Sequence, residues 1–430
     1  MKKNVFIFAL FICAAVMVFG QSESDFEINE AGGKITITKY IGTVKDVKIP
    51  EKIKGLPVTA IGNSAFTKNK ITNITIPNSI TTIGNEAFYE NQLTSVTIPN
   101  SVTAIGYWAF HSNRLTSVTI PDSVTTIDNM TFCNNQLTSV IIPNSVTIIK
   151  EHAFHTNRLT SVTIPNSVTT IGPYAFFENR LTSIVIPDSV TTIGNGAFLD
   201  NRLTSVTLPD NVKMQGNSFG YYSIYGQYIS NEKKKRTFTI SQPATINGYE
   251  VVIINNTAVE ILKYGGNEKD VKIPERINGQ PVTAIGTSAF ERKQLTGVTI
   301  PNSVTVIGDS AFLYNQLTGV TIPNFVAIIG SNAFQSNQLT NITIPNSVSV
   351  IGENAFRFNK LTSITIPNSV IIYDYAFLDN QLTSITIGAN VGLGRNSLAG
   401  TETIYNNGGK QAVTFTRPDT STKTWTIQKM

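Results

Sequence analysis

Residues 93–113 read LTSVTIPNSVTAIGYWAFHSN, and this stretch decides the fold. Leu93, Val96 and Ile98 set an L-x-x-V-x-I pattern, and the β-branched residues between them suit a short strand with one buried face. Pro99 has no N–H to give to a ladder, so it ends that strand. Val102 and Ile105 read as a second short buried segment. Gly106 follows it, where a backbone with positive φ is expected. Ala109 and Phe110 are expected to point inward from a short helical turn. Asn113 closes the unit, its side chain satisfying exposed backbone groups in the turn.

Outward from this stretch, the same pattern returns along most of the chain. The phenylalanine falls at Phe66, Phe88, Phe110, Phe132, Phe154, Phe176 and Phe198, each 22 residues from the last. A second series, Phe290, Phe312, Phe334 and Phe356, keeps the interval of 22, which then tightens to 21 for Phe377 and Leu398. The prolines Pro77, Pro99, Pro121, Pro143, Pro165, Pro187 and Pro209 keep the same beat. A fixed period of this length predicts a solenoid with one coil per repeat. A single coil buries too few side chains to offset the entropy of ordering its backbone, so the coils must stack to be stable. Asp128 and Lys150 stand where other coils have the glycine, and nothing in the sequence compensates for them.

The repeats fall into two blocks. DVKIPEKIKGLPVTAIGNSAF at residues 46–66 returns as DVKIPERINGQPVTAIGTSAF at residues 270–290. A strand-rich lead precedes each block: FEINEAGGKITITKY, residues 26–40, and INGYEVVIINNTAVEILKY, residues 246–264. A related segment closes each, SIYGQYISNEKKKRTFTI at 223–240 and TIYNNGGKQAVTFTRPDTSTKTWTI at 403–427. The expected fold class is therefore a repeat solenoid, mostly β with short helical turns, in two duplicated blocks with β caps. Its expected parts are a signal peptide (1–20), N-terminal cap strands (21–49), a first repeat block (50–220), a cap or linker hairpin with the second lead-in (221–273), a second block (274–398) and a C-terminal β cap (399–430). Caps are needed because solenoid ends expose apolar edges.

The unit L-x-x-V-x-I-P followed by S-V-x-x-I-G-x-x-A-F resembles the BspA-like, or Treponema-type, leucine-rich repeat. The resemblance covers residues 46–220 and 270–398. The family usually has about 23 residues per unit and often a Cys three places after the Phe; here the period is 22 and Asn91, Asn113 and Asn157 stand there. The resemblance implies an exported or surface protein, and several members are implicated in adhesion to host matrix proteins or other bacteria.

Composition narrows the classes further. Of 430 residues only 14% are charged while 41% are hydrophobic. That excludes a coiled coil and wholesale disorder. A net charge of +5 spread along the chain argues against nucleic-acid binding. Lys2 and Lys3, the apolar run Val5–Phe19 and the Val18-Phe19-Gly20 site predict export with cleavage before Gln21. Ile12 before Cys13 argues against lipidation, and no later segment predicts a membrane span, so the mature chain is expected to be secreted or held at the cell surface. Cys133 is then the only cysteine, which excludes an internal disulfide and a cysteine-based metal site.

Candidate chemistry is sparse. His111, His152 and His155 are the only histidines. His152 and His155 flank Phe154, with Glu151 the nearest further ligand, and they read as variable surface positions. GLGRN at 392–396 lies in a degenerate terminal repeat and does not read as a phosphate cradle. Lys233, Lys234, Lys235 and Arg236 form the one dense basic run, at an expected hairpin tip; it reads as a solvated turn or as a contact for an acidic surface. No nucleophile elbow, P-loop or converging acid–base set is present, so no enzyme, cofactor or metal is expected.

Variation inside the repeat carries more. The outer strand positions are monotonous: Thr94, Ser95 and Thr97, then Thr116, Ser117 and Thr119. Variable residues gather around the Ala-Phe pair, and the aromatic ones among them are the candidate binding residues: Tyr89, Tyr107, Trp108, His111, Tyr174, Phe177, Tyr314, Phe358 and Tyr375. The expected function is adhesion to a host extracellular matrix protein, a glycan or another bacterial surface. The alternatives are an envelope spacer without a dedicated ligand, and lattice binding (ice or polysaccharide) by the Thr ladders.

Overall fold

The computed structural model describes residues 21–230, 232–422 and 424–429. The expected signal peptide, residues 1–20, lies outside them. The described chain is a β-solenoid of about 16 turns with almost no helix.

Short parallel strands at the V-x-x-I segment stack coil on coil. Thr82–Ile83 pairs with Ala104–Ile105 in a register offset of one repeat, Thr82 opposite Ala104 and Ile83 opposite Ile105. The L-x-x-V-x-I segment makes a thinner ladder. It forms regular strands such as Ser183–Val185 and Ser205–Leu208 near the block ends, and only isolated bridges, Thr97–Thr119 and Thr119–Ile141, in the middle. The proline that closes each of these segments removes one ladder donor per coil.

The expected helical turns around Ala-Phe are not helical. The residues two before and two after the phenylalanine take left-handed backbone, with φ of 59° at Trp108 and 55° at Ser112. This alternation turns every second N–H toward the next coil: Trp108, Phe110 and Ser112 donate to the carbonyls of Asn129, Thr131 and Cys133, each at 3.0 Å. Left-handed backbone costs roughly 1–2 kcal/mol per non-glycine residue. The cross-coil ladder offsets it, and only one of these turns, at Gly196, uses glycine at the first position. Gly106 has ordinary φ, contrary to expectation. It is glycine because the coils approach closely: a Cβ there would sit 2.5 Å from the Asn85 backbone nitrogen. The two exceptions compensate each other, since Lys150 Nζ lies 3.1 Å from both carboxylate oxygens of Asp128.

Inside, the phenylalanines stack as one spine per block. Neighbouring rings are 5.1 Å apart at Phe66–Phe88 and 5.7 Å apart at Phe132–Phe154. The cap strands extend the spine with a tyrosine, Tyr40 on Phe66 and Tyr264 on Phe290. Asn113 and most of its repeats are buried, and their side chains satisfy backbone groups of the turn as expected. The Leu93 N–H donates to Asn113 Oδ1 at 3.1 Å, and Asn113 Nδ2 donates to the carbonyls of Phe88 (2.9 Å) and Phe110 (3.2 Å). Each such asparagine thus ties its own coil to the one before it.

The closing segment of the first block is a helix, α1 (Tyr222–Ser230), not a strand of a hairpin. The closing segment of the second block likewise contains α2 (Glu402–Asn407). The basic run is no hairpin tip either: it leads from α1 into the strand Arg236–Thr239, and Lys235 is bound to Asp188 at 2.8 Å. The two blocks have separate hydrophobic cores, and α1 lies across the second block. There Tyr222 is buried with Ala284, Val306 and Ile328. Glu260, wholly buried in the second lead-in, accepts the Ser223 N–H at 2.8 Å. In the first block the matching residues are Thr36, Ala60, Thr82 and Ala104, and none of the described helices covers them.

Candidate interaction surface

The strand-side hydroxyls point along the stack. Thr81 Oγ1 donates to the Thr59 carbonyl (3.1 Å), Thr103 to Thr81 (3.3 Å), and Thr169 to Thr147 (3.2 Å). Ser145 and Ser167 donate to the carbonyls of Val124 and Val146, each at 2.7 Å. On the V-x-x-I side these hydroxyls hold one coil to the next, and on the L-x-x-V-x-I side Thr116 Oγ1 donates to the Thr94 carbonyl at 3.4 Å.

At the Phe-flanking turns, residues at the same offset from the phenylalanine lie side by side in successive coils. Tyr89 and His111, both one place after a phenylalanine, have rings 5.3 Å apart, and Trp108 stacks on His111 at 5.0 Å. Tyr174 stacks on His152 at 5.0 Å, and Phe177 meets His155 edge-on at 4.8 Å. In the second block the partners are cations. Arg292 lies 4.2 Å from the Tyr314 ring centre, and Arg357 lies 4.5 Å from that of Phe358 and 5.8 Å from that of Tyr375.

The nine candidates thus form separate clusters, not one ridge. Met130 and Cys133 occupy the coil between the first two clusters. Trp108 is half-buried by its neighbours, as are Tyr89, His111, Tyr174, Phe177 and Tyr375. Tyr107, Tyr314 and Phe358 are the exposed ones, at 42%, 45% and 46%. The sequence reading took His152 and His155 together but missed their packing against Tyr174 and Phe177, and it missed the cation–ring contacts of Arg292 and Arg357. The signal was present in the 22-residue offset, which places Arg292 directly before Tyr314.

Electrostatics give no reactive group here. The Tyr89 hydroxyl bonds to Glu90, which pushes its pKa up to about 12. Burial lowers the pKa of His111, His152 and His155, keeping the rings neutral near pH 7. Cys133 is buried, and burial pushes its thiol up to about 12, so it is inert. Among the described residues no three histidine, cysteine, aspartate or glutamate side chains are grouped to hold a metal. No described helix is long and apolar enough to cross a membrane.

Against known families, the model of the BspA-type leucine-rich repeat region, a six-copy unit, matches residues 59–180, 125–237 and 283–404. The chain belongs to the BspA-type leucine-rich repeat family. Members of this family are typically cell-surface, non-enzymatic proteins that interact through their repeats. No curated protein matches the chain. Among solved structures, a leucine-rich cell surface protein of Faecalibacterium prausnitzii is 24% identical, with 85% of this chain and 94% of that one covered at a TM-score of 0.39. The T. pallidum leucine-rich repeat protein is 25% identical, covering 46% of this chain and 82% of that one at 0.31. The pneumococcal vaccine antigen PcpA is 17% identical, covering 87% and 84% at 0.32.

Proposed function

We propose that this BspA-type repeat protein is an exported, non-enzymatic adhesion protein. It binds a host extracellular matrix protein, a glycan or another bacterial surface through side chains on the Phe-flanking turns. One observation carries this reading. Tyr107, Tyr314 and Phe358 extend into solvent although the core does not require them, whereas the hydroxyls of Thr81 and Thr169 are engaged in coil-to-coil bonds. Exposed aromatics supply large contact area at small entropy cost, and a stiff array of weak sites gains strength by multivalency.

The test is a solid-phase screen of the chain from Gln21 onward against matrix proteins, mucins and glycans. With the partner so found, Tyr107→Ala, Tyr314→Ala and Phe358→Ala are compared with Thr94→Ala and Thr116→Ala. The aromatic variants are expected to weaken binding, together more than singly. Binding that survives all three aromatic changes but fails with the threonine changes refutes the reading; a screen without any partner favours the envelope spacer.

A further inference from the structure

We propose that His152 and His155 chelate one divalent transition-metal ion, Cu(II) first among them, at the turn that carries Phe154. The two Nδ1 atoms face each other at 3.0 Å. The outer nitrogens face carboxylates: His152 Nε2 lies 3.5 Å from Glu151 Oε1, and His155 Nε2 lies 3.8 Å from Glu178 Oε2. A carboxylate opposite Nε2 favours the tautomer with its proton there. Both Nδ1 lone pairs then point into the same gap, an arrangement that repels unless a cation lies between them. Metal-bound imidazoles place a carboxylate on the same side, where it accepts the non-coordinating N–H; here Glu151 and Glu178 stand within a few tenths of an ångström to one ångström of that contact.

The span also fits. With metal–nitrogen bonds of roughly 2.0–2.1 Å, a separation of this size gives a nitrogen–metal–nitrogen angle of about 95°. That is close to the right angle of tetragonal Cu(II) or Ni(II) sites and narrower than a tetrahedral zinc site prefers. The rings are held in place beforehand. Tyr174 lies on His152 with an interplanar angle of 8°, and Phe177 braces His155. The side chains are 19% and 24% exposed, open to a small ion. No third protein ligand converges, so water or a donor from a partner completes the coordination.

The chain from Gln21 onward, without a histidine tag, is titrated with CuCl2 near pH 7.5 and followed by calorimetry and electron paramagnetic resonance. One ion per chain is expected, with a micromolar or tighter Kd and hyperfine structure from two imidazole nitrogens. His152→Asn and His155→Gln should each weaken binding at least ~10-fold, Glu178→Gln should weaken it by roughly 10-fold, and His111→Asn should leave it unchanged. Asparagine is chosen at 152 because φ there is 54° and asparagine tolerates left-handed backbone. The metal-free protein gives a second readout that needs no variant: 15N-resolved imidazole spectra should show both rings as Nε2–H tautomers. A Nδ1–H on either ring means that one shared proton already satisfies the pair, and it overturns the proposal. Absence of saturable binding, or wild-type affinity in either histidine variant, also overturns it.

Discussion

Glu260 should make the joint between the two blocks looser as pH rises, and Glu260→Gln should abolish that effect. The side chain is wholly buried where α1 crosses the second block. Its Oε2 accepts the Ser223 N–H, but Oε1 has no hydrogen-bond partner. Burial therefore dominates, and the pKa rises from 4.5 to about 7 despite the bonds from Tyr222 and Ser223. The sign follows from proton binding. Between these two values the undocked carboxyl is ionised while the docked one keeps its proton, so docking takes up a proton and weakens as pH rises. Below the lower value the effect vanishes; above the upper value it is complete. A shift of this size corresponds to about 3 kcal/mol. Glutamine keeps an acceptor for Ser223 and carries no charge. At pH 8 the variant should hold α1 more firmly by ~2–3 kcal/mol, and at pH 4.5 the two proteins should agree.

Hydrogen exchange of residues 222–230 reads this directly, because comparing two proteins at the same pH cancels the intrinsic exchange rate. Asp309 is close by and also raised by burial, so the wild type retains some pH dependence of the same sign; the difference between wild type and variant isolates Glu260. Equal protection of α1 in both proteins at pH 8 would refute the reasoning, as would a wild-type joint that tightens from pH 4.5 to 7.

Two further outcomes are expected. Phe154→Ala should cost about 3–5 kcal/mol by opening a gap in the stacked spine, and Asn157→Ala should cost at least ~2 kcal/mol by stranding the Leu137 N–H and the carbonyls of Phe132 and Phe154 in the core; denaturant melts of each variant check both, and a neutral Asn157→Ala would show the asparagine ladder to be dispensable. Cys133, its thiol held at about 12 by burial, should resist a soluble thiol reagent at pH 8 in the native chain and react at once in denaturant; rapid native labelling would contradict its burial.

How legible was this in the sequence? The inward positions were, because packing against identical neighbours holds them constant: Leu93, Val102, Ile105, Ala109 and Phe110 are all buried. The backbone around Phe110 was not. Left-handed residues are usually read from glycine or asparagine, whereas here Trp108, His152 and Tyr174 adopt that region because the ladder to the next coil holds them there. Gly106 misled for a related reason, since its lack of a side chain serves contact between coils and not its own dihedral angles. The candidate surface was legible as a set of positions but not as contacts. Reading each copy as an isolated unit hides that equal offsets in adjacent copies are neighbours, and so hides the stacking of Tyr174 on His152.

The joint shows what two near-identical blocks must do differently to be joined. Both have the same lead strands and the same spine, and a helix that met one could meet the other. What distinguishes them is one column. Thr36, Ala60, Thr82 and Ala104 in the first block become Glu260, Ala284, Val306 and Ile328 in the second. Two larger apolar side chains make a seat for Tyr222, and the acid receives an amide at the start of α1. Gly308 completes the fit, because a Cβ there would strike the Tyr222 ring at 2.5 Å. The first block keeps small or polar residues on that column, so the seat exists on one block alone. The duplication thus supplies the stack, and a handful of substitutions decides which face the connecting helix covers.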